Sequence, residues 1–321
     1  MKQAENIQHS AFRIQNGGRR PGWGMALLAV MLAAGCAAPK AQFTDADWVS
    51  HAATGRGAYE RGDYRRGADA YGRAQERARA LDDADALAVA AVNRAVCLLA
   101  DGRAQEALAA VREALADGRV AVDRQTELQV VGARASLALG KPDEAMAFLA
   151  VVLKSNPPVL LRAQALLTEG AVHLAGNDPA AAVQALFSGL SEKSWAGLPA
   201  SLRAEQAELL GRTATAQDRP GEAVAHWDEA ARLWKKAGRL PEMARALAEA
   251  GRQAQAAGKL PEACDRFYRA ARSLWAQGLG PEAIRTLEEG VNCSERVQDE
   301  AVGRRMAELV VTFKDEKRLS E

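Results

Sequence analysis

The sequence predicts an all-α protein, a row of about six to seven antiparallel helix pairs closed by a C-terminal capping helix. Three observations carry this expectation. One junction recurs three times at intervals of twenty residues: Gly238-Arg-Leu-Pro241-Glu242, Gly258-Lys-Leu-Pro261-Glu262 and Gly278-Leu-Gly-Pro281-Glu282. Triplets of small, large and small residues at helical spacing return about every forty residues along the chain. Between 220 and 296 no alternation of apolar and polar residues competes for a strand.

Each junction suits the meeting of two helices. The glycine can adopt the left-handed conformation that closes a helix. The proline three residues later fits the first turn of the next helix, where its missing N–H had no partner to lose. The glutamate beside it sets negative charge against the positive end of the new helix. A twenty-residue unit is therefore one helix plus one turn.

Traced towards the N-terminus, the same layout appears in pairs. Second helices carry Gly67/Tyr71/Ala74, Ala107/Val111/Ala114, Ala145/Leu149/Val152, Ala182/Leu186/Gly189, Ala223/Trp227/Ala230 and Ala263/Phe267/Ala270. Spacings of four and three keep each triplet on one helical face. Twelve residues before each leading residue stands another small one, Gly55, Ala95, Ala133, Gly170, Gly211 or Gly251, which lets paired helices approach closely.

This layout resembles the tetratricopeptide repeat, with the stretches at 61–74 and 101–115 matching its central turn and Pro157 its closing proline. The resemblance spans about residues 45 to 296, with repeats 37 to 41 residues apart rather than the family's roughly 34. It implies a right-handed α-solenoid whose concave groove is lined by the first helix of each pair. Residues 298–315 read as the capping helix, with Val302, Met306, Leu309, Val310 and Phe313 on one apolar face; an amphipathic docking helix is the other reading of that stretch.

Ahead of the repeats, residues 25–35 form an uncharged apolar run that follows Arg19 and Arg20 and ends at Cys36. Eleven residues are too few to span a bilayer, which needs about twenty, and the parts are those of a secretory signal. The segment Leu32-Ala-Ala-Gly-Cys36 resembles the bacterial lipobox, which implies lipidation of Cys36 and a membrane anchor. By that resemblance, Ala37 in place of Asp points to the outer membrane of a Gram-negative cell, facing the periplasm. The expected layout is a signal peptide over 1–35, a lipidated N-terminus and linker over 36–46, repeats over 47–296, and a capping helix with a polar tail over 297–321.

Charge and motifs narrow the function. The formal net charge is +1, and it falls to about −2 without the first 36 residues, which hold Lys2, Arg13, Arg19, Arg20 and Glu5. A chain so close to neutral is poorly suited to neutralising phosphates, so no nucleic-acid partner is expected. His9, His51, His173 and His226 are scattered, with no metal-ligand spacing, phosphate loop or nucleophile elbow. No catalytic residue, metal or cofactor is expected.

By the family's layout, the residue after each first-helix small residue points into the groove. In order it reads Arg56, Val96, Arg134, Ala171, Arg212, Arg252. Four arginines could hold an acidic or carboxylate-bearing peptide by bidentate hydrogen bonds. The alternative is that each pairs with a nearby glutamate, such as Glu208 or Glu249. Val89, Val92, Val96 and Leu99 mark an apolar stretch that divides between core and groove. Cys97 reads as a small buried hydrophobe. Cys264 and Cys293 lie fourteen residues before and fifteen after Gly278, a spacing that permits a disulfide across the last hairpin.

The expected function is a lipid-anchored, periplasm-facing scaffold that captures protein or peptide partners in its groove. Lipoproteins of this architecture, by resemblance, serve pilus or secretin assembly, outer-membrane protein assembly and cell-wall hydrolase regulation. The competing expectation is a binder of a non-protein ligand such as a peptidoglycan stem peptide.

Overall fold

A computed structural model describes residues 43–297 and 300–320. Cys36 and the signal segment lie outside the described residues. Among those described there are fifteen helices and no strand, and they form two compact units that divide between Arg219 and Pro220. The first unit holds α1 (Ala46–Glu60) and α2 (Tyr64–Ala80), α3 (Ala84–Ala100) and α4 (Ala104–Leu115), α5 (Val122–Ala138) and α6 (Pro142–Lys154), α7 (Val159–Ala175) and α8 (Pro179–Ser188), the short α9 (Glu192–Ala196), and α10 (Ala200–Ala216). The second holds α11 (Pro220–Lys236), α12 (Leu240–Ala256), α13 (Leu260–Ala276), α14 (Gly280–Val297) and α15 (Glu300–Ser320). Within each unit successive helices pack on one another, and α3, α5, α7 and α10 also meet side by side.

The recurrent junction works as its chemistry suggests. At Gly258 the backbone takes φ +75°, a conformation that strains a residue bearing Cβ. Gly258 N–H then donates to Gln255 O at 3.1 Å and Lys259 N–H to Ala254 O at 2.8 Å, so two otherwise orphaned carbonyls at the helix end are satisfied. The same bonding closes α3 at Gly102 and α13 at Gly278. Asp82, Asn177 and Asp218 do this work with φ of 52°, 60° and 54°, because a short polar side chain tolerates the left-handed region better than other residues. Gly62, Asp82 and Gly102 thus carry the twenty-residue period into the N-terminal repeats, where a search for glycine alone misses it.

Two devices start the next helix. Pro241 and Pro261 occupy the first turns of α12 and α13. At α2 and α3 aspartate caps instead: Asp63 and Asp83 accept from the N–H groups of Arg66 and Ala86 at 3.2 and 2.9 Å. The junction glutamate does more than face the helix dipole. Glu106 binds Arg103 twice, at 2.6 and 2.7 Å, and Glu242 pairs likewise with Arg239, so each glutamate ties the turn to the helix it opens.

The anchor triplets form the core. Tyr71, Val111, Leu149, Leu186, Trp227 and Phe267 are buried, as are their flanking small residues except the half-buried Gly189. Gly55, Ala95, Ala133, Gly170, Gly211 and Gly251 are buried too. A Cβ on Gly55 would lie 2.7 Å from the Tyr71 ring, and one on Gly251 would lie 3.0 Å from the Phe267 ring. Phe267 also meets α14, where a Cβ on Gly290 would come within 3.1 Å of its own Cβ. In the Gly55–Tyr71 and Gly251–Phe267 pairs the large side chain on the second helix fills space that a missing side chain on the first one opens.

Both ends are closed. Met306 and Phe313 of α15 are buried, Val302, Leu309 and Val310 pack partly against the same cluster, and Phe313 stacks on Trp275 with centroids 3.9 Å apart. At the other end Trp48 is buried beside Phe43, and Asp45 caps α1 by accepting from Trp48 N–H at 2.9 Å. Helix α9 has no counterpart in the sequence reading. Its Trp195 is buried and donates to Leu186 O at 3.2 Å, filling the space left by the short α8. Cys97, Cys264 and Cys293 are all buried. The disulfide that the spacing permits between Cys264 and Cys293 is not formed in this structure. Cys293 Sγ turns instead to the carbonyl of Leu260, one turn before Cys264 on α13.

Gly55→Ala is expected to lower stability by about 1–2 kcal/mol, since overpacking typically costs 1–3 kcal/mol and better helix propensity offsets up to about 1. Urea denaturation checks this, and the loss should shrink in a Tyr71→Leu background.

A second expectation concerns pH. Arg77 binds Asp45 at 2.7 and 3.0 Å, and with the Trp48 N–H this holds the Asp45 carboxyl down at about 2. Because the value is depressed in the fold, the stability it contributes is present above the ordinary carboxylate value and lost as pH falls through about 2. Amide protection in α1 should therefore drop between pH 4 and pH 2, and this dependence should be much reduced in Asp45→Asn.

Candidate binding groove

The first helices of the N-terminal unit make a continuous layer of α3, α5, α7 and α10. Arg134 on α5, Ala171 on α7 and Arg212 on α10 occupy equivalent positions, each following a buried small residue. Ala171 lacks the length of its neighbours. Above it lies a hollow lined by Arg134, Leu137, Leu167, Thr168, Ala171, Glu205 and Leu209.

The hollow is apolar at its base and charged at its sides. Arg134 reaches Glu205 of α10 at 3.5 Å, and its Nε donates to Thr168 Oγ1 at 3.4 Å. Thr168 in turn donates to Gln164 O at 2.8 Å, which holds its hydroxyl in place. The two charged side chains are only 14% and 11% exposed. Little water screens them, so each depends on the other for the charge it keeps out of solvent. Leu167 and Leu209 are 4% and 1% exposed and form the base. The arrangement presents a shallow apolar base with a cation and a carboxylate beside it.

Towards α3 the surface stays apolar, then becomes ionic. Val92 and Leu99 are buried while Val89 and Val96 are half-buried, so the stretch read from the sequence divides between core and groove. Beyond it Arg124 binds Glu127 at 2.9 Å and Asp85 at 3.4 Å. Burial pushes the Arg124 guanidinium down, but these two carboxylates outweigh it and leave its affinity for the proton raised.

The four arginines meet different fates. Arg56 on α1 has a buried Nε without a hydrogen-bond partner among the described residues. Arg134 lies in the hollow, bound to Glu205. Arg212 lies on α10 seven residues after Glu205, hence on the same face, and it too is engaged. In the C-terminal unit Arg252 binds Glu289 at 2.8 and 3.0 Å and also pairs with Glu249. Seven residues earlier Arg245 binds Glu282 at 2.9 and 3.0 Å. The arginine row of α12 is thus zipped onto a glutamate row of α14, where the sequence reading offered Arg252 to a ligand. Glu249 is the partner that reading named as the alternative.

Glu205, Thr168, Leu167, Leu209, Glu282 and Glu289 were not singled out from sequence. A signal existed: Glu205 precedes Arg212 by seven residues, and Glu282 precedes Glu289 by seven. Two helical turns return a side chain to nearly the same face. Among the described residues no cluster of three or more His, Cys, Asp or Glu side chains could hold a metal, and no helix is long and apolar enough to cross a membrane.

The helix pairs, their turns and the small-against-large packing define a tetratricopeptide-repeat-like fold. No protein-family model matches the chain. No curated protein matches it in sequence. Among solved structures it is similar to the TPR2AB domain of yeast Sti1 in its complex with pHSP90, at 16% identity over 83% of this chain and 98% of that one, TM-score 0.35. It is also similar to a chain of the APC/C hetero-tetramer Cut9-Hcn1, at 15% identity over 81% of this chain and 53% of that one, TM-score 0.47. A tetratricopeptide repeat protein from Parabacteroides merdae shares 13% identity over 83% of this chain and all of that one, TM-score 0.44.

Arg134→Met alone should destabilise the protein by about 3–5 kcal/mol, because it removes the guanidinium that faces the buried Glu205 carboxylate. Arg134→Met/Glu205→Leu should recover most of that loss. A double-mutant cycle in urea checks both values.

Proposed function

We propose that the protein is a scaffold that captures a segment of a partner protein in the groove of α5, α7 and α10. The observation that carries this is the hollow over Ala171, with its apolar base and its shielded Arg134–Glu205 pair. A solvated ion pair on a convex surface would offer no comparable recess. The base favours an aliphatic or aromatic side chain of the partner, and the flanking charges favour polar groups on either side of it.

The cellular setting is part of the proposal. Cys36, preceded by Leu32-Ala-Ala-Gly, supplies a lipid anchor, and the repeat body then works close to a membrane, facing the periplasm at the outer membrane of a Gram-negative cell. A stem-peptide ligand fits less well, since Arg134 and Arg252 already hold carboxylates of the protein itself.

The test is positional. A photo-crosslinking residue at Leu137, in the groove, is compared with one at Val151, which is 51% exposed on α6. Cross-links to a defined envelope protein from Leu137 and not from Val151 are expected, together with loss of membrane fractionation in Cys36→Ser. Cross-links from Val151 alone would overturn the groove, and unchanged fractionation would overturn the anchor.

A further inference from the structure

Successive second helices are stitched together by arginine–carboxylate pairs. Arg79 of α2 meets Glu113 of α4, Arg112 of α4 meets Glu144 of α6, and Arg266 of α13 binds Asp228 of α11 at 2.6 Å. Where α13 meets α15 the pattern breaks. Arg272 and Arg305 each place the guanidinium carbon 5.4 Å from the centre of the Tyr268 ring. Both arginines are exposed, and neither has an ion pair or hydrogen bond among the described residues. The Tyr268 hydroxyl likewise has no hydrogen-bond partner there. Nearby carboxylates do not compensate: Asp265 is held by Arg269, and Glu308, one turn beyond Arg304 and Arg305, pairs with neither. Arg304 adds a third exposed cation beside Arg305.

Two like charges held by one ring lie no more than about 11 Å apart, and each repels the other with no carboxylate paired to either among the described residues. We propose that this cluster is a second binding site, on the outer face of the terminal helices, for an acidic segment of a partner protein. Two guanidiniums flanking a ring suit two carboxylates on one extended chain. At about 3.3 Å per residue, side chains two positions apart share one face of an extended chain and lie about 7 Å apart. The Tyr268 hydroxyl can donate to a carboxylate, and the guanidiniums would bind bidentately. A membrane surface is less well matched, because lipid-reading patches gather about 4–8 cations on one face. The site is distinct from the groove and does not depend on it.

The test is fluorescence anisotropy of a fluorescein-labelled hexaglutamate peptide with the full chain, in low and high salt. Binding that weakens with salt is expected, and Arg272→Ala/Arg305→Ala should weaken it by about tenfold per arginine removed. Tyr268→Phe should cause a smaller loss, and Arg134→Met/Glu205→Leu should leave the affinity unchanged. The proposal is overturned if the peptide fails to bind at millimolar concentration, or if the arginine double variant binds it as well as the original. It is overturned equally if the groove variant alone loses binding, or if phosphatidylglycerol vesicles bind through the same arginines in preference to the peptide.

Discussion

The structure depends on close approach between paired helices. Large anchors on second helices sit against first-helix residues with no side chain: at Gly55 and Gly251 even one added carbon meets the ring of Tyr71 or Phe267. Interiors packed to this density transmit position from one element to the next. Phe267 shows how far this goes, since it is held by Gly251 of α12 and Gly290 of α14 together. The turns serve the same end. At most junctions a left-handed residue closes one helix, and at several a proline or aspartate opens the next within three residues, so helix register leaves little slack there.

Charge then acts on a frame that packing has already set. Arginines join helix to helix over both layers: Arg245 and Arg252 bind glutamates of α14, and Arg266 binds Asp228 of α11. The exposed pairs contribute about 0–1 kcal/mol each, so their role is better understood as fixing which neighbour a helix accepts. The Arg134–Glu205 pair differs because it is buried, and because Ala171 leaves open space above it. A groove defined by that one gap is more selective than a ladder of free cations.

Much of the fold was legible in the sequence. The anchor triplets, the small residues twelve positions earlier and the glycine–proline junctions each correspond to a buried contact or a turn in the structure, because they express local rules of helix packing and capping. Helix α9 was not legible, since five residues leave no periodic signal and Trp195 reads as an isolated aromatic. Asp82 and Asp218 are less legible than the glycines because aspartate is common outside left-handed turns as well as in them. The site was read less well than the fold. Arg134 was found from its position, but its partner Glu205 lies 71 residues away, and a pairing of that kind follows from which helices lie side by side. Arg252 was offered to a ligand because sequence shows the cation without the α14 carboxylate that takes it.

The account's central claim is that the first-helix face over Ala171 is where a partner sits. Hydrogen–deuterium exchange on the full chain, with and without any protein that cross-links at Leu137, tests this most directly. The account predicts new protection in α5, α7 and α10 with little change in α6 and α8. Protection confined to α6 and α8, with α7 unchanged, would contradict it.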